Sequence, residues 1–445
     1  MPVLFLLTPL KLLLLGLILV LGLTTFYYSW VAFSGESDRP RFLGALTRII
    51  SAVTVLIISN HIVVFWCSWV SVGLCLHRLI LFYPRRPRAR LAAQKQFVSA
   101  RLGEVLLGAA FVALYRECNS LYINEIILRV STVDADSRSI TTAAILLTVV
   151  ALVKCAQLPM HGWLTQVVEA PTPVSSLLHA GVVNLGGILL LFFSPVIESS
   201  SLASWLLIAF AGASTILAGL TSATRVSIKV KLAWSTSSQM GLMLLEIALG
   251  LYTTAILHIF SHSLYKSYSF LSCGNTVNRH LATRLAGSVV PKKIHWLMAL
   301  LLAFALVGTA QWKYLTWPST STATIIWLAL ATLLLPSITK SCSSCLFLSL
   351  GVGILLIAFY TTVEHWLALV IRLHTQVDHH ADYFVSSLFL TMFLLSLALH
   401  YWPRLDCIKR LFTLVNTGAY LDKWVTCLTL KLWPKGKLAI AKHWL

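Results

Sequence analysis

Runs of about twenty apolar residues recur along most of this chain, separated by short polar or basic loops, and that rhythm constrains the fold more than any other feature. Twenty helical residues rise about 30 Å, the thickness of a bilayer's hydrocarbon core. In that solvent only helices and closed barrels satisfy every backbone polar group. Thirteen such runs can be marked, at about 3–28, 42–59, 61–83, 102–115, 141–157, 173–195, 202–221, 232–249, 252–273, 294–310, 323–338, 346–360 and 383–401. Only 11% of the residues are charged, against about 25% in soluble domains. The chain therefore reads as an all-α polytopic membrane protein with about thirteen transmembrane helices. Residues 1–402 form the membrane domain, and a basic tail, 403–445, is expected on the membrane surface. The first run is too long for a cleavable signal and lacks a small-residue cleavage site before a polar domain.

The net charge of +19 is large for so few charged residues. Its cations sit in loops between apolar runs, which points to the positive-inside rule and away from nucleic acid. With thirteen spans, the basic segments 84–101, 224–231 and 274–293 and the tail all fall on one side, and the acidic loop 116–139 on the other. That places the C-terminus in the cytoplasm and the N-terminus outside. Nine cysteines, an odd number mostly within apolar runs, make no disulfide framework, and the Cys342/Cys345 pair reads as membrane filling.

The stretch from Lys154 to Gly187 breaks the pattern. A lysine ends the fifth run, Pro159, Pro171 and Pro173 follow, and the sixth run carries His179. A cation in hydrocarbon costs at least ~2.5–3.5 kcal/mol, so Lys154 needs a wet or paired environment. Prolines and glycines loosen backbone hydrogen bonds, which a membrane tolerates only beside protein or a water-filled cavity. Together they suggest an ion route, although a Pro-kinked helix pair with mutually satisfied polar groups would share these features.

His258, His262 and Lys266 are spaced i, i+4, i+8 and so stack on one helical face, with Ser261 and Tyr265 beside them. Three aligned titratable groups point to a proton relay. Two histidines at i, i+4 could share a metal, but no acidic or cysteine third ligand stands on that face. Glu104, the only acid of the fourth run, is a candidate partner for Lys154; a static pair with Arg101 is the competing arrangement. Glu246 calls for a cationic neighbour that the sequence does not identify.

The stretch LVKCAQLPMHGWLTQVVEAPTPVSSLLHAGVVNLGG resembles the proton-translocating antiporter-like subunits of respiratory complex I, the NuoL family. SIKVKLAWSTSSQMG and ILHIFSHSLYKSYSFLSCG match two further blocks in the right order, covering about 100–280. Within that family the chain is similar to the DabB type, the membrane half of DabA–DabB inorganic-carbon complexes. LHRLILFYPRRP with KQFVSARLGE, a short second half and the ending NTGAYLDKWVTCLTLKLWP carry that likeness. The resemblance implies an antiporter-like (NuoL-type) fold with broken helices, with Met1 expected about where the family's third helix would begin.

It also implies roles. Lys154 matches the central lysine on a broken helix and His179 the histidine of the next helix. His258, His262 and Lys266 match the connecting relay, and Glu104 the acid of an RxGD-like motif. Relatives carry WExxGLCS where this chain has WVSVGLCL, so Val70 replaces the glutamate that pairs with the key lysine. By resemblance, the chain is a proton- or sodium-conducting subunit in a bacterial inner membrane. Its partner would be a large zinc-containing, carbonic-anhydrase-like DabA subunit, where the ion gradient drives CO2 hydration and bicarbonate accumulation. No zinc ligand set, and no cofactor, is expected in this chain itself. The alternative is a proton-pumping subunit of an NADH-quinone oxidoreductase or membrane hydrogenase, which the absent glutamate and short basic tail disfavour.

Overall fold

The computed structural model describes residues 3–132, 137–167, 170–276, 281, 290–313, 319–371 and 377–432, and for 311–313 the backbone alone. The end of the tail from 433 and the Lys313 side chain, a doubtful second-half cation, lie outside the described residues. The helices are α1 (Pro9–Ala32), α2 (Arg39–Ile58), α3 (Ile62–Ile80), α4 (Pro87–Cys118), α5 (Ile123–Val130), α6 (Arg138–Lys154) and α7 (Gly162–Thr165). They continue as α8 (Thr172–Ala180), α9 (Leu185–Phe192), α10 (Ser194–Glu198), α11 (Ser201–Thr224), α12 (Ile228–Ala248) and α13 (Tyr252–Leu271). The remainder are α14 (Lys293–Lys313), α15 (Thr320–Thr339), α16 (Ser343–Ile371), α17 (His379–Tyr401), α18 (Asp406–Asn416) and α19 (Leu421–Leu432).

Among the described residues, ten helical segments are long and apolar enough to cross a membrane, with α8 and α9 forming one of them. The shorter α6, of 17 residues, and the more polar α12 and α13 fill the other three expected places. Each of the thirteen apolar runs is thus a helix. Three segments differ from expectation. The basic stretch 84–101 is mostly helix, because Pro87 starts α4 and ARLAAQKQF continues it. At 32 residues, α4 rises about 48 Å, well beyond the hydrocarbon core. The acidic loop contains α5, whose apolar Ile123, Ile126 and Val130 are buried. The Cys342/Cys345 pair, expected as filling, is joined as a disulfide.

The chain divides into two compact units. The first holds the described residues of Met1–Ala248, His258–Cys273 and Lys409–Leu445. Here α4 packs on α6 and α11 on α12, around Phe65, Phe111 and Phe193, whose rings lie 5.5–6.2 Å apart. The described tail from Lys409 onward belongs to this unit. Asp422 of α19 accepts both bonds of the Lys95 ammonium at 2.7 Å, and one from Gln166 Nε2 at 2.7 Å. Gly418 sits against the Trp234 ring, where a Cβ would collide, and Thr221 Oγ1 donates to the Val415 carbonyl at 2.9 Å.

The second unit comprises Leu249–Leu257 and the described residues of Gly274–Ile408. Its core is formed by Ala299, Ala303, Val307, Leu330, Ala331, Leu334 and Ile338, where small residues let α14 and α15 approach closely. Asp382 of α17 caps α15, accepting from the Thr320 and Ser321 amides at 2.7 and 3.0 Å. Phe347, Leu348, Leu355 and Phe359 of α16 point outward, as lipid-facing side chains do.

Candidate functional site

All six candidate residues, Lys154, His179, Glu104, His258, His262 and Lys266, lie in the first unit, around two breaks in the helical backbone. The first break follows Lys154, where Ala156 takes a left-handed φ of 51°. Its released backbone groups are received by hydroxyls of two other helices. Ser237 Oγ donates to the Ala156 carbonyl at 2.8 Å, and the Leu158 amide donates to Ser214 Oγ at 3.0 Å. Gln157 Nε2 reaches the Cys155 and Ser237 carbonyls at 2.8 and 3.1 Å. The hydroxyl-rich WSTSSQ segment therefore serves the break, in keeping with the rule that non-helical backbone survives in a membrane only inside protein.

The second break separates α8 from α9 at Gly181–Asn184. Asn184 Nδ2 donates to the Ala180 carbonyl at 2.9 Å and to Ser263 Oγ of α13 at 2.8 Å. Ser176 and Ser267 share a hydrogen bond of 3.2 Å. The breaks press together at Gly186, where a Cβ would lie 2.8 Å from the Ala151 carbonyl and 2.6 Å from Cys155 Sγ.

Lys154 faces a cavity of about 20 Å³ shared with Glu104, Gln96, Ser99, Trp69 and Trp163. A volume of that size holds about one water. The Lys154 ammonium lies 4.8 Å from the centre of the Trp69 ring, a cation–π contact that partly replaces its hydration. Glu104 is within the same cavity but pairs with Arg101 at 2.5 Å, so the structure forms the Arg101 pair and leaves Lys154 without an ion-pair partner among the described residues. Gly73 of WVSVG makes this possible: a Cβ there would stand 2.8 Å from Glu104 Oε1. The carboxylate of α4 thus reaches the face of α3 that holds Val70 one turn away.

The second group centres on α13. Glu246 of α12 pairs with His258 Nδ1 at 3.0 Å, which supplies the neighbour the sequence left unidentified. His258 and His262 have ring centroids 6.0 Å apart. Both ring nitrogens of His262, and His179 Nδ1, are buried with no hydrogen-bond partner among the described residues. His179 stacks on Phe270 at 4.4 Å. Lys266 is fully buried and donates to the Leu232 carbonyl at 3.1 Å and Ser235 Oγ at 3.0 Å. Ser261 and Tyr265 are exposed but stand beside the stripe as expected, with Ser261 Oγ donating to the His258 carbonyl at 3.1 Å and the Tyr265 ring centre 5.8 Å from the Lys266 ammonium; the buried polar neighbours are Ser263 and Ser267.

The six residues thus form two groups, Lys154 with Glu104 and His179 with the α13 stripe. No hydrogen bond or ion pair joins the two groups among the described residues. Sequence reasoning missed Gly73, Asn184 and Ser263, which were visible only as ordinary members of WVSVGLCL, GVVNLGG and IFSHS. Chemically, the α13 group can accept and pass protons, since neutral imidazole has one donor and one acceptor nitrogen.

Residues 59–346 match the family described as NADH:quinone oxidoreductase/Mrp antiporter, transmembrane. "Probable inorganic carbon transporter subunit DabB" of Hydrogenovibrio crunogenus is 40% identical over 439 residues, covering 96% of this chain and 83% of that one. "Probable inorganic carbon transporter subunit DabB2" of Halothiobacillus neapolitanus is 32% identical over 94% of this chain and 80% of its own length. The NADH-quinone oxidoreductase subunit L of Escherichia coli is 33% identical, but over 56% of this chain and 41% of that protein. The structure of the Mrp complex from Dietzia sp. shares the fold, with a TM-score of 0.63 at 21% identity, covering 96% of this chain and 52% of that one.

Proposed function

Since this chain belongs to the NADH:quinone oxidoreductase/Mrp antiporter membrane family, and within it to the DabB group of inorganic carbon transporter subunits, we propose that it conducts protons or sodium ions to drive inorganic-carbon uptake. One observation carries the reading: the buried row Glu246–His258–His262–Lys266, with His179 beside it, in a helix of a membrane protein. Ionisable groups in a bilayer are costly and mark ion pathways. A proton arriving at one ring nitrogen of His262 can leave from the other, and Lys266 is held by two acceptors in position to receive or release it. Lys154 and Glu104 form a second station, where a shift of Glu104 between Arg101 and Lys154 would change the lysine's affinity for its proton.

The partner is a large zinc-containing subunit of carbonic-anhydrase type, the DabA of such pairs. It would hydrate CO2 to bicarbonate and a proton, and ion flow through this chain would make that hydration one-directional. The setting is a bacterial inner membrane, with the basic loops and C-terminus in the cytoplasm.

The test is growth of a host lacking carbonic anhydrase, in ordinary air, carrying this chain with the large subunit. Wild type is expected to restore growth, and Lys154→Ala, Lys266→Ala or an uncoupler to abolish it. Absence of rescue by a well-expressed wild-type pair would overturn the carbon-uptake reading. Rescue surviving both substitutions would remove ion conduction from it.

A further inference from the structure

Buried polar atoms without partners are uncommon, because each forfeits its hydration with nothing in return. In the first unit several of them lie in one place. Gln96 Oε1, Ser99 Oγ, His161 Nδ1 and Trp163 Nε1 are all buried with no hydrogen-bond partner among the described residues. Gln96, Ser99 and Trp163 line the Lys154 cavity. His161, 1% exposed, is two residues before Trp163 and within electrostatic reach of Asp422 and Lys95.

The same row has an outer end. The Lys95 side chain is wholly buried, whereas the Asp422 carboxylate that pairs with it keeps 28% of its surface exposed. Lys95, Ser99 and Gly103 are spaced i, i+4, i+8 on one face of α4, and Glu104 follows. Ser99 and Gly103 also line the Lys154 cavity, and Ser99 stands one turn, about 6 Å of rise, from Lys95 with its partly exposed carboxylate partner. A clamp for the tail would need the Lys95–Asp422 pair alone. It would not need a row of unpartnered donors and acceptors leading inward from it.

We propose that Asp422 and Lys95 form the mouth of a water-lined passage that joins Lys154 to the side of the membrane bearing the tail. His161, Gln96, Ser99 and Trp163 supply the hydrogen-bonding walls, and the Asp422 carboxylate concentrates cations at the opening. The proposal rests on the reading of Lys154 as part of the ion path.

The test is cysteine accessibility in sealed vesicles of either orientation, on the full complex. Ser99→Cys is compared with Ala110→Cys, a position on the same helix that is 0% exposed. Modification is read by mass at the substituted residue, using a cationic and a neutral water-soluble methanethiosulfonate. Ser99→Cys is expected to react at least about tenfold faster than Ala110→Cys, from the tail side only. Adding Asp422→Asn is expected to slow the cationic reagent several-fold relative to the neutral one. Equal rates at the two positions, faster reaction from the opposite side, or an unchanged cationic-to-neutral ratio would each overturn the passage. Failure of the conduction reading would be seen separately, as unaltered ion flux in Lys154→Ala whatever the labelling rates.

Discussion

At Gly186 two broken segments touch with no space for a side chain, and this one position tests whether the breaks are built or incidental. Gly186→Ala drives a methyl into the Ala151 carbonyl and Cys155 Sγ. A cost of about 1–3 kcal/mol is expected, read as a lower thermal midpoint in detergent. Gly44→Ala is the control, since nothing lies within 4 Å of its Cβ position, and it should be neutral or slightly stabilising. Glu246 offers a functional counterpart. Glu246→Gln keeps the shape but removes the charge facing His258. Ion flux should fall by roughly tenfold, the effect of about 1.4 kcal/mol, while the amount of folded protein is unchanged. The titratable residues were legible in the sequence because charge in an apolar run is conspicuous. Their partners were not. Gly73, which admits Glu104, and Ser263, which holds Asn184, are ordinary residues whose meaning depends on which helix lies opposite.

Among the elements, the broken helices were legible from Pro159, Pro171, Pro173 and the glycines, since these residues cannot continue a helix ladder unaided. The hydroxyls of α11 and α12 that repair the ladder could not be assigned, because nothing in WSTSSQ says what faces it. The start of α4 was hidden for another reason: its arginines and Lys95 read as loop charges, although alanine, glutamine and lysine are good helix formers. The docking of α19 was not legible either, since Asp422 read only as one charge in a basic tail. Asp422→Ala should destabilise the first unit by about 3 kcal/mol, the lower end of the range for breaking a buried pair, because Asp422 is partly solvated while Lys95 is not. Lys95→Met with Asp422→Leu should recover most of that loss, and a double-mutant cycle in detergent melts measures the coupling.

For the molecule as a whole, each of the thirteen runs falls on helix among the described residues, ten of them in segments long and apolar enough to span, because hydrophobic length is decisive in a bilayer. The division into two units was not legible: α13 contributes residues to both, and no loop or change of composition marks the point. Orientation belongs to this scale too. With the basic segments cytoplasmic, a reporter fused at the C-terminus should be active only if it works inside the cell, and one fused in the 116–139 segment only if it works outside. The opposite pattern would place the tail, and the passage it helps to form, on the outer side.

Lys95 and Asp422 stand 327 residues apart in the chain. A ribosome adding about 5–20 residues per second needs on the order of 20–60 s between them. Throughout that interval Lys95 is in the membrane protein without its counter-charge, and the segment carrying His161 has no α19 beneath it. This site therefore forms only after α19 has been made. A chain terminated before α19 would carry the relay of α13 but an unfinished doorway, so the arrival of α19 acts as a certificate that the segments before it are present.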